Sequence, residues 1–171
     1  MSARPSAVLF AARLIAIILG LAAAEASARE ALTPEAAQVL HSARSAELYS
    51  LEPYTDPDDA KVRRLEGYAI LGHTRITTSQ SAAAVLEIER SIAAWEDGPI
   101  ALCFDPRHAL RVRAEGHTYD FLVCYACEEM QVYKDGALVA FTHVRGSPSV
   151  LNAMLRKGNV PLSRSGDRGG E

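Results

Sequence analysis

The sequence predicts an α+β fold, in which an antiparallel β-meander of about five strands carries two or three helices packed on one face. Five segments rich in β-branched and aromatic residues follow one another after residue 99, joined by short links that contain turn residues. Amphipathic helical patterns precede and follow them. A chain of 171 residues with 49% hydrophobic and 23% charged residues has the composition of a single globular domain.

Residues 1–28 have the pattern of a secretory signal peptide. "MSARPSAVLFAAR" contains two arginines and no acid, and the apolar run "LIAIILGLAAA" and the small residues Ala26 and Ala28 follow it. The pattern predicts cleavage after Ala28. Because the apolar run is shorter than the roughly 20 residues that span a bilayer, we expect the mature form not to span a membrane. The predicted location is therefore periplasmic or extracellular.

Residues 29–64 are predicted to form an N-terminal helix and an extended segment. Thr33 is a suitable N-cap, Pro34 suits the first helical position, and apolar residues recur at helical spacing up to residue 45. "ELYSLEP" (47–53) is predicted to be extended. The charged segment 54–64, which contains Asp and Pro, is predicted to be a surface loop.

Residues 65–162 are predicted to form the α+β core. It begins with one strand over 65–77, in which Gly67 and Gly72 allow a bend or bulge, and a helix over 80–95 capped by Thr78 or Ser79. The five meander strands are "IALCF" (100–104), "ALRVRA" (109–114), "TYDFLVCY" (118–125), "EEMQVY" (128–133) and "ALVAFTHV" (137–144). A last helix follows, capped by Ser147 and ended by Gly158. Residues 163–171 are predicted to be a disordered tail.

The stretch 101–129 holds all three cysteines of the chain. A two-residue turn at Glu115 and Gly116 would place His108 opposite Val123, next to Cys124. Asp105, Pro106 and Arg107 are predicted to form a structural turn that brings Cys103 towards the same end of the hairpin. Cys124 and Cys127 can cooperate only if "CYAC" is itself a turn or bulge, because a flat strand would point them to opposite faces.

Four interpretations of this cluster remain open at the level of sequence. A structural zinc site would use Cys103, His108, Cys124 and Cys127. A disulfide would join two of Cys103, Cys124 and Cys127, as is usual in an exported domain, and the sequence does not choose the pair. Cys124 and Cys127 could instead be a redox dithiol, although the flanking residues are those of strands and not of a helix start. All three cysteines could also be buried and inert.

The segments "CFDPRHALRV" and "YDFLVCYACEEMQVY" resemble a group of exported or lipid-anchored bacterial proteins that carry a C-F-x-P-R-H segment followed by a C-x-x-C segment. The resemblance covers residues 65–162, and Tyr125 stands where the group usually has phenylalanine. The group has no established activity. The resemblance therefore implies only which positions to test, namely Cys103, Pro106, Arg107, His108, Cys124 and Cys127.

The function that the sequence favours is a non-enzymatic binding or inhibitor-like accessory module of the cell envelope, whose expected partner is an envelope protein. The alternatives are a thiol-disulfide redox protein that uses Cys124 and Cys127, and a structural zinc-binding domain. No cofactor other than that zinc is expected. A formal net charge of −3 gives no broad basic surface, so a nucleic-acid partner is not predicted.

Overall fold

The computed structural model describes residues 32–96 and 101–164, and in this part of the chain an antiparallel sheet of seven strands packs with three helices. The elements in chain order are α1 (Pro34–Ser42), β1 (Ala46–Glu52), β2 (Arg64–Leu65), β3 (Tyr68–Ile76), α2 (Thr78–Ala93), β4 (His108–Ala114), β5 (His117–Cys124), β6 (Glu129–Lys134), β7 (Ala137–His143) and α3 (Ser149–Lys157). The predicted signal peptide and residues 165–171 of the predicted tail lie outside the described residues.

The sheet has the strand order β2-β3-β1-β4-β5-β6-β7, so the prediction of about five strands is corrected to seven. The last four strands correspond to four of the five strands of the predicted meander. β1 pairs with both β3 and β4 and thereby joins the N-terminal strands to the meander. This pairing links residues far apart in the chain, which is why strand patterns along the sequence did not reveal it.

Two predicted strands differ from the observed ones. Residues 101–104 of "IALCF" are irregular, and they lead into the loop that carries Cys103. The single strand predicted over 65–77 is two strands, because Glu66 and Gly67 both adopt positive φ angles, 47° and 89°, and form a tight turn between β2 and β3. The predicted irregularity near Gly72 is present, since the register between β1 and β3 shifts next to it.

The starts of α1 and α2 follow local capping chemistry. Thr33 caps α1 as predicted, and its Oγ1 accepts a hydrogen bond from the Ala36 N–H at 3.1 Å. α2 is capped by Thr77, one residue before the earlier of the two predicted caps, in a capping box with Gln80. At α3 the predicted cap, Ser147, is wrong, because the N-cap is Pro148 and no side chain caps this helix. Ser147 Oγ nevertheless accepts a hydrogen bond from the Ser149 N–H at 3.3 Å.

The main core lies between the three helices and one face of the sheet, as the predicted packing of helices on one face requires. Its helical contributors include Leu40 from α1, Ile88 from α2 and Leu155 from α3, all almost fully buried. A second, smaller cluster lies on the other face of the sheet, around Leu51 and Leu122. None of the helices in the described residues is both long enough and apolar enough to cross a membrane.

Candidate functional site

A disulfide joins Cys124, the last residue of β5, to Cys127 in the turn that leads to β6. The sequence requires "CYAC" to be a turn if the two sulfurs are to meet, and residues 125–128 are a turn that ends with Glu128 at φ 54°. The Cys127 N–H donates to Cys124 Sγ at 3.1 Å. Both cysteines are only 1% exposed. Among the pairings that the sequence left open, the structure therefore has the short ring.

Arg145, which follows β7, binds Glu128, the last residue of this turn. Its guanidinium donates to both carboxylate oxygens of Glu128, at 2.9 and 3.0 Å. The hydrogen bond and charge of Arg145 lower the pKa of Glu128, so that the carboxylate stays ionised. The Val144 N–H also donates to the Glu128 carbonyl at 3.0 Å. The disulfide ring thus lies on a turn that is fixed at its C-terminal end.

Cys103 is a free, exposed cysteine whose thiol lies against the disulfide. Its Sγ is 3.0 Å from Cys127 Sγ, across a sequence separation of 24 residues. The predicted proximity of Cys103 to the end of the β4–β5 hairpin is therefore present. The sulfurs of the three cysteines form one continuous group, with two of them buried and one at the surface.

The loop that carries Cys103 is anchored on the sheet face that the helices do not cover. Phe104 packs edge-on against Tyr68, with ring centroids 6.0 Å apart, and the Tyr68 hydroxyl donates to the Phe104 carbonyl at 3.0 Å. Burial raises the pKa of Tyr68 to about 12, which keeps that hydroxyl protonated and able to donate. Pro106 is buried, and the Arg107 carbonyl accepts from the Leu51 N–H at 3.0 Å.

Asp105 contacts the sulfur group through its backbone and turns its side chain towards Tyr54. The Asp105 N–H donates to Cys127 Sγ at 3.3 Å, and Asp105 Oδ2 accepts from the Tyr54 hydroxyl at 2.6 Å. The hydrogen bond to Asp105 raises the pKa of Tyr54, so Tyr54 stays the donor of this pair. One thiol or disulfide sulfur from each of Cys103 and Cys127 and a carboxylate oxygen of Asp105 all lie within 4.8 Å of one another.

His108 lies apart from this group. It pairs with Val123, as the sequence predicts, and the whole β4–β5 register agrees with a two-residue turn at Glu115 and Gly116. Its imidazole, however, is buried on the helix side of the sheet, where Nε2 is 2.8 Å from Asn152 Oδ1 of α3. Cys124 follows Val123 and so faces the opposite side. The predicted zinc ligand set with His108 is not gathered around one point.

A cavity of about 300 Å³ opens elsewhere on the sheet, and arginines dominate its lining. Arg111 donates to both carboxylate oxygens of the buried Asp120, at 2.7 Å each, and Arg113 lies 3.4 Å from Glu47. Two of its three arginines are therefore neutralised within the fold. The cavity offers little free charge to a ligand, and the sulfur group is the stronger candidate site.

Tyr54 and the carboxylate of Asp105 are the site residues that sequence reasoning missed. The sequence predicts a structural turn at Asp105 and a surface loop around Tyr54. They are 51 positions apart in the chain. No local pattern joins them, since they meet only because the loop after β1 and the loop before β4 lie at the same end of two adjacent strands.

No family model, curated protein or solved structure that we compared with this chain matches it.

Proposed function

We propose that this protein carries out thiol-disulfide exchange in an oxidising compartment, with Cys103 as a relay between a partner protein and the Cys124–Cys127 disulfide. The observation that carries the proposal is the 3.0 Å separation of the Cys103 and Cys127 sulfurs. Exchange proceeds by attack of a thiolate on a disulfide sulfur, so a free cysteine in contact with a disulfide is the arrangement that the reaction needs.

The burial of the three cysteines supports a relay. Cys124 and Cys127 are each 1% exposed, so the sulfur atoms of another protein have little access to them. Cys103 is exposed and contacts Cys127 directly. An internal exchange would move the oxidised sulfur pair from the interior to the surface, where a second protein can react with it.

The internal step conserves atoms and electrons. Cys103 loses its proton to solvent, and its thiolate attacks Cys127 Sγ. The Cys103–Cys127 bond forms as the Cys124–Cys127 bond breaks, and Cys124 leaves with the electron pair and takes up a proton. The Cys127 N–H, 3.1 Å from Cys124 Sγ, can stabilise the negative charge that develops on this leaving sulfur.

The external step oxidises a partner. A thiolate of a partner protein attacks the exposed sulfur of Cys103, which forms a mixed disulfide and releases Cys127 as a thiolate. A second thiolate of the same partner then attacks the partner's sulfur in that mixed disulfide. The partner gains a disulfide and loses two hydrogens, while this protein is left with three thiols. A disulfide oxidant of the compartment restores the Cys124–Cys127 bond and is itself reduced to a dithiol.

The surface around Cys103 favours a polypeptide partner over a small thiol. Leu102, its neighbour in the chain, is fully exposed, and Tyr54 has 63% of its surface accessible. Large apolar side chains beside a reactive sulfur can contact the apolar residues of an incompletely folded chain. We therefore expect proteins that have not yet formed their disulfides to be the substrates.

The proposal is tested by oxidation of a reduced peptide that contains two cysteines. The peptide is mixed with oxidised protein, and its loss of two hydrogens is followed by mass spectrometry after acid quenching. We expect Cys103→Ser to retain the Cys124–Cys127 disulfide yet to oxidise the peptide at least about tenfold more slowly, because the buried ring loses its route to the surface. Ala101→Ser, in the same loop, is the matched control and should keep the wild-type rate.

A direct measurement of the disulfide bonds tests the internal step. Peptide mapping of acid-quenched oxidised protein should find a minor population with a Cys103–Cys127 bond beside the main Cys124–Cys127 form. If Cys103→Ser oxidises the peptide as fast as the wild type and no Cys103–Cys127 bond is found, the relay is wrong. A permanent Cys124–Cys127 bond would then favour the accessory binding module that the sequence predicts.

A further inference from the structure

The sulfur group has the composition of a metal site once its disulfide is reduced. Cys103, Asp105 and Cys127 offer ligand atoms within 4.8 Å of one another, and Cys124 is held next to Cys127 by the short turn between them. Reduction therefore leaves the thiols of Cys103 and Cys127 beside the carboxylate of Asp105, with the thiol of Cys124 next to that of Cys127. Four such ligands complete the tetrahedral coordination that zinc adopts in closed protein sites.

We propose that the reduced protein binds one zinc ion, or a similar thiophilic divalent cation, through Cys103, Asp105, Cys124 and Cys127. The thiolates select a thiophilic ion over Mg²⁺ or Ca²⁺, which prefer sets of oxygen ligands. Asp105 takes the position that the sequence assigned to His108. The imidazole is unsuited to it, because His108 lies on the helix side of the sheet with Asn152 as its partner.

The surroundings of the four ligands support this assignment. The Tyr54 hydroxyl donates to Asp105 Oδ2 at 2.6 Å and so orients the carboxylate, as outer hydrogen bonds commonly do for metal ligands. Two backbone N–H groups point at sulfurs, from Asp105 to Cys127 Sγ at 3.3 Å and from Cys127 to Cys124 Sγ at 3.1 Å. Such donors stabilise the thiolate form that a metal requires.

Zinc binding and disulfide formation exclude each other, because both use the sulfurs of Cys124 and Cys127. A dithiol reductant transfers two electrons and two protons to the disulfide and itself becomes a disulfide, which leaves three cysteine thiols. Zinc then displaces the three thiol protons as it binds. While the ion is bound, none of the three thiolates can take part in exchange. Zinc occupancy would therefore depend on whether the surroundings are reducing or oxidising.

The metal site shares its sulfurs with the proposed exchange reaction, but it needs no partner protein and can exist whether or not that reaction occurs. The test is a titration of reduced, oxygen-free protein with Zn²⁺ against a chromophoric chelator. We expect one ion per chain in the reduced protein and none in the oxidised protein. Peptide oxidation measured with a chelator present reports the exchange reaction separately, so the two proposals can fail independently.

Variants assign the ligands. Asp105→Asn should weaken zinc binding about 10-fold to 100-fold, and Tyr54→Phe should weaken it by a smaller factor, because the carboxylate loses its orienting donor. Asp58→Asn, at an exposed acid in the loop between β1 and β2, is the matched control and should bind like the wild type. Equal affinity of Asp105→Asn and the wild type would remove Asp105 from the site.

A spectroscopic measurement on the wild-type protein avoids dependence on the folding of variants. X-ray absorption at the zinc edge should show three sulfur ligands and one oxygen ligand, without the outer-shell scattering of an imidazole ring. Co²⁺ in place of zinc should give a tetrahedral spectrum with strong sulfur-to-metal charge transfer. An imidazole signal, or no bound ion in the reduced protein, would overturn the proposal.

Discussion

At the scale of single residues, the burial of His108 should make the free energy of unfolding depend on pH. Its imidazole lies between β4 and α3, where burial lowers its pKa to about 4 and the hydrogen bond with Asn152 offsets only part of that shift. The imidazole is therefore neutral in the folded protein at neutral pH. In the unfolded chain the same group titrates near its ordinary pKa of about 6.5.

We expect this difference to lower the free energy of unfolding in mild acid. The contribution of His108 is complete above about pH 6.5 and is lost as the pH falls towards 4, because only the unfolded chain takes up the proton in that window. The difference between the two pKa values corresponds to a loss of about 3 kcal/mol in the free energy of unfolding at pH 4. His108→Gln cannot take up this proton, so its stability should fall less steeply than that of the wild type in urea unfolding at pH 4 to 7. Parallel curves for the two proteins would contradict the assignment.

At the scale of elements, the start of α2 shows how strictly local chemistry sets a helix boundary. The Gln80 side chain accepts from the Thr77 N–H at 2.9 Å, and Thr77 Oγ1 accepts from the Gln80 N–H at 3.4 Å. These reciprocal bonds satisfy two backbone donors at the helix start. The predicted cap was one or two residues late because Thr77, Thr78 and Ser79 all have capping side chains, and the residue three positions before Gln80 is the one that completes the box.

Loss of this cap should weaken α2 and with it the main core. We expect Thr77→Ala to lower the free energy of unfolding by about 1 kcal/mol, the usual effect of removing a capping hydroxyl. Thr78→Ala, at an exposed neighbouring position, is the control and should change it by less than about 0.5 kcal/mol. Urea unfolding of both variants measures the difference, and equal losses would mean that the box contributes nothing specific.

At the scale of the whole molecule, both proposals require the fold to persist when the disulfide is reduced. The ring spans a sequence separation of only 3 residues, at the end of one strand, and it does not connect distant parts of the chain. The sheet and the helices meet through the core around Leu40, Ile88 and Phe121, all nearly inaccessible to solvent. Stability should therefore come mainly from apolar burial.

We expect reduction of the wild-type protein to lower its free energy of unfolding by only about 2 kcal/mol, as a chain-entropy argument gives for so short a loop. Circular dichroism should show unchanged secondary structure in the reduced protein, and the unfolding midpoint should be modestly lower. The double variant Cys124→Ser/Cys127→Ser should match the reduced wild type when metal is excluded by a chelator. If the protein unfolds on reduction, the proposed metal site of the reduced protein is wrong.

The sequence by itself determined most features that depend on neighbouring residues. The turn at Glu115 and Gly116 set the register of β4 and β5, and alternation along those strands placed Leu110 and Phe121 on the same side. Thr33 and Pro34 marked the start of α1. The sequence also indicated that "CYAC" must be a turn or bulge if its two sulfurs are to meet, although it did not choose the disulfide pair. Each of these rests on backbone geometry within a few residues.

Only the tertiary structure decided the sheet order and the composition of the site. β1 lies between β3 and β4, a pairing between distant segments that strand patterns do not encode. Side-chain direction separated His108 from Cys124, although the two lie at the same end of one hairpin, because neighbouring strand positions face opposite sides of the sheet. The loops after β1 and before β4 then brought Tyr54, Asp105 and Cys103 to the disulfide. Contacts across such distances depend on the packing of the whole chain.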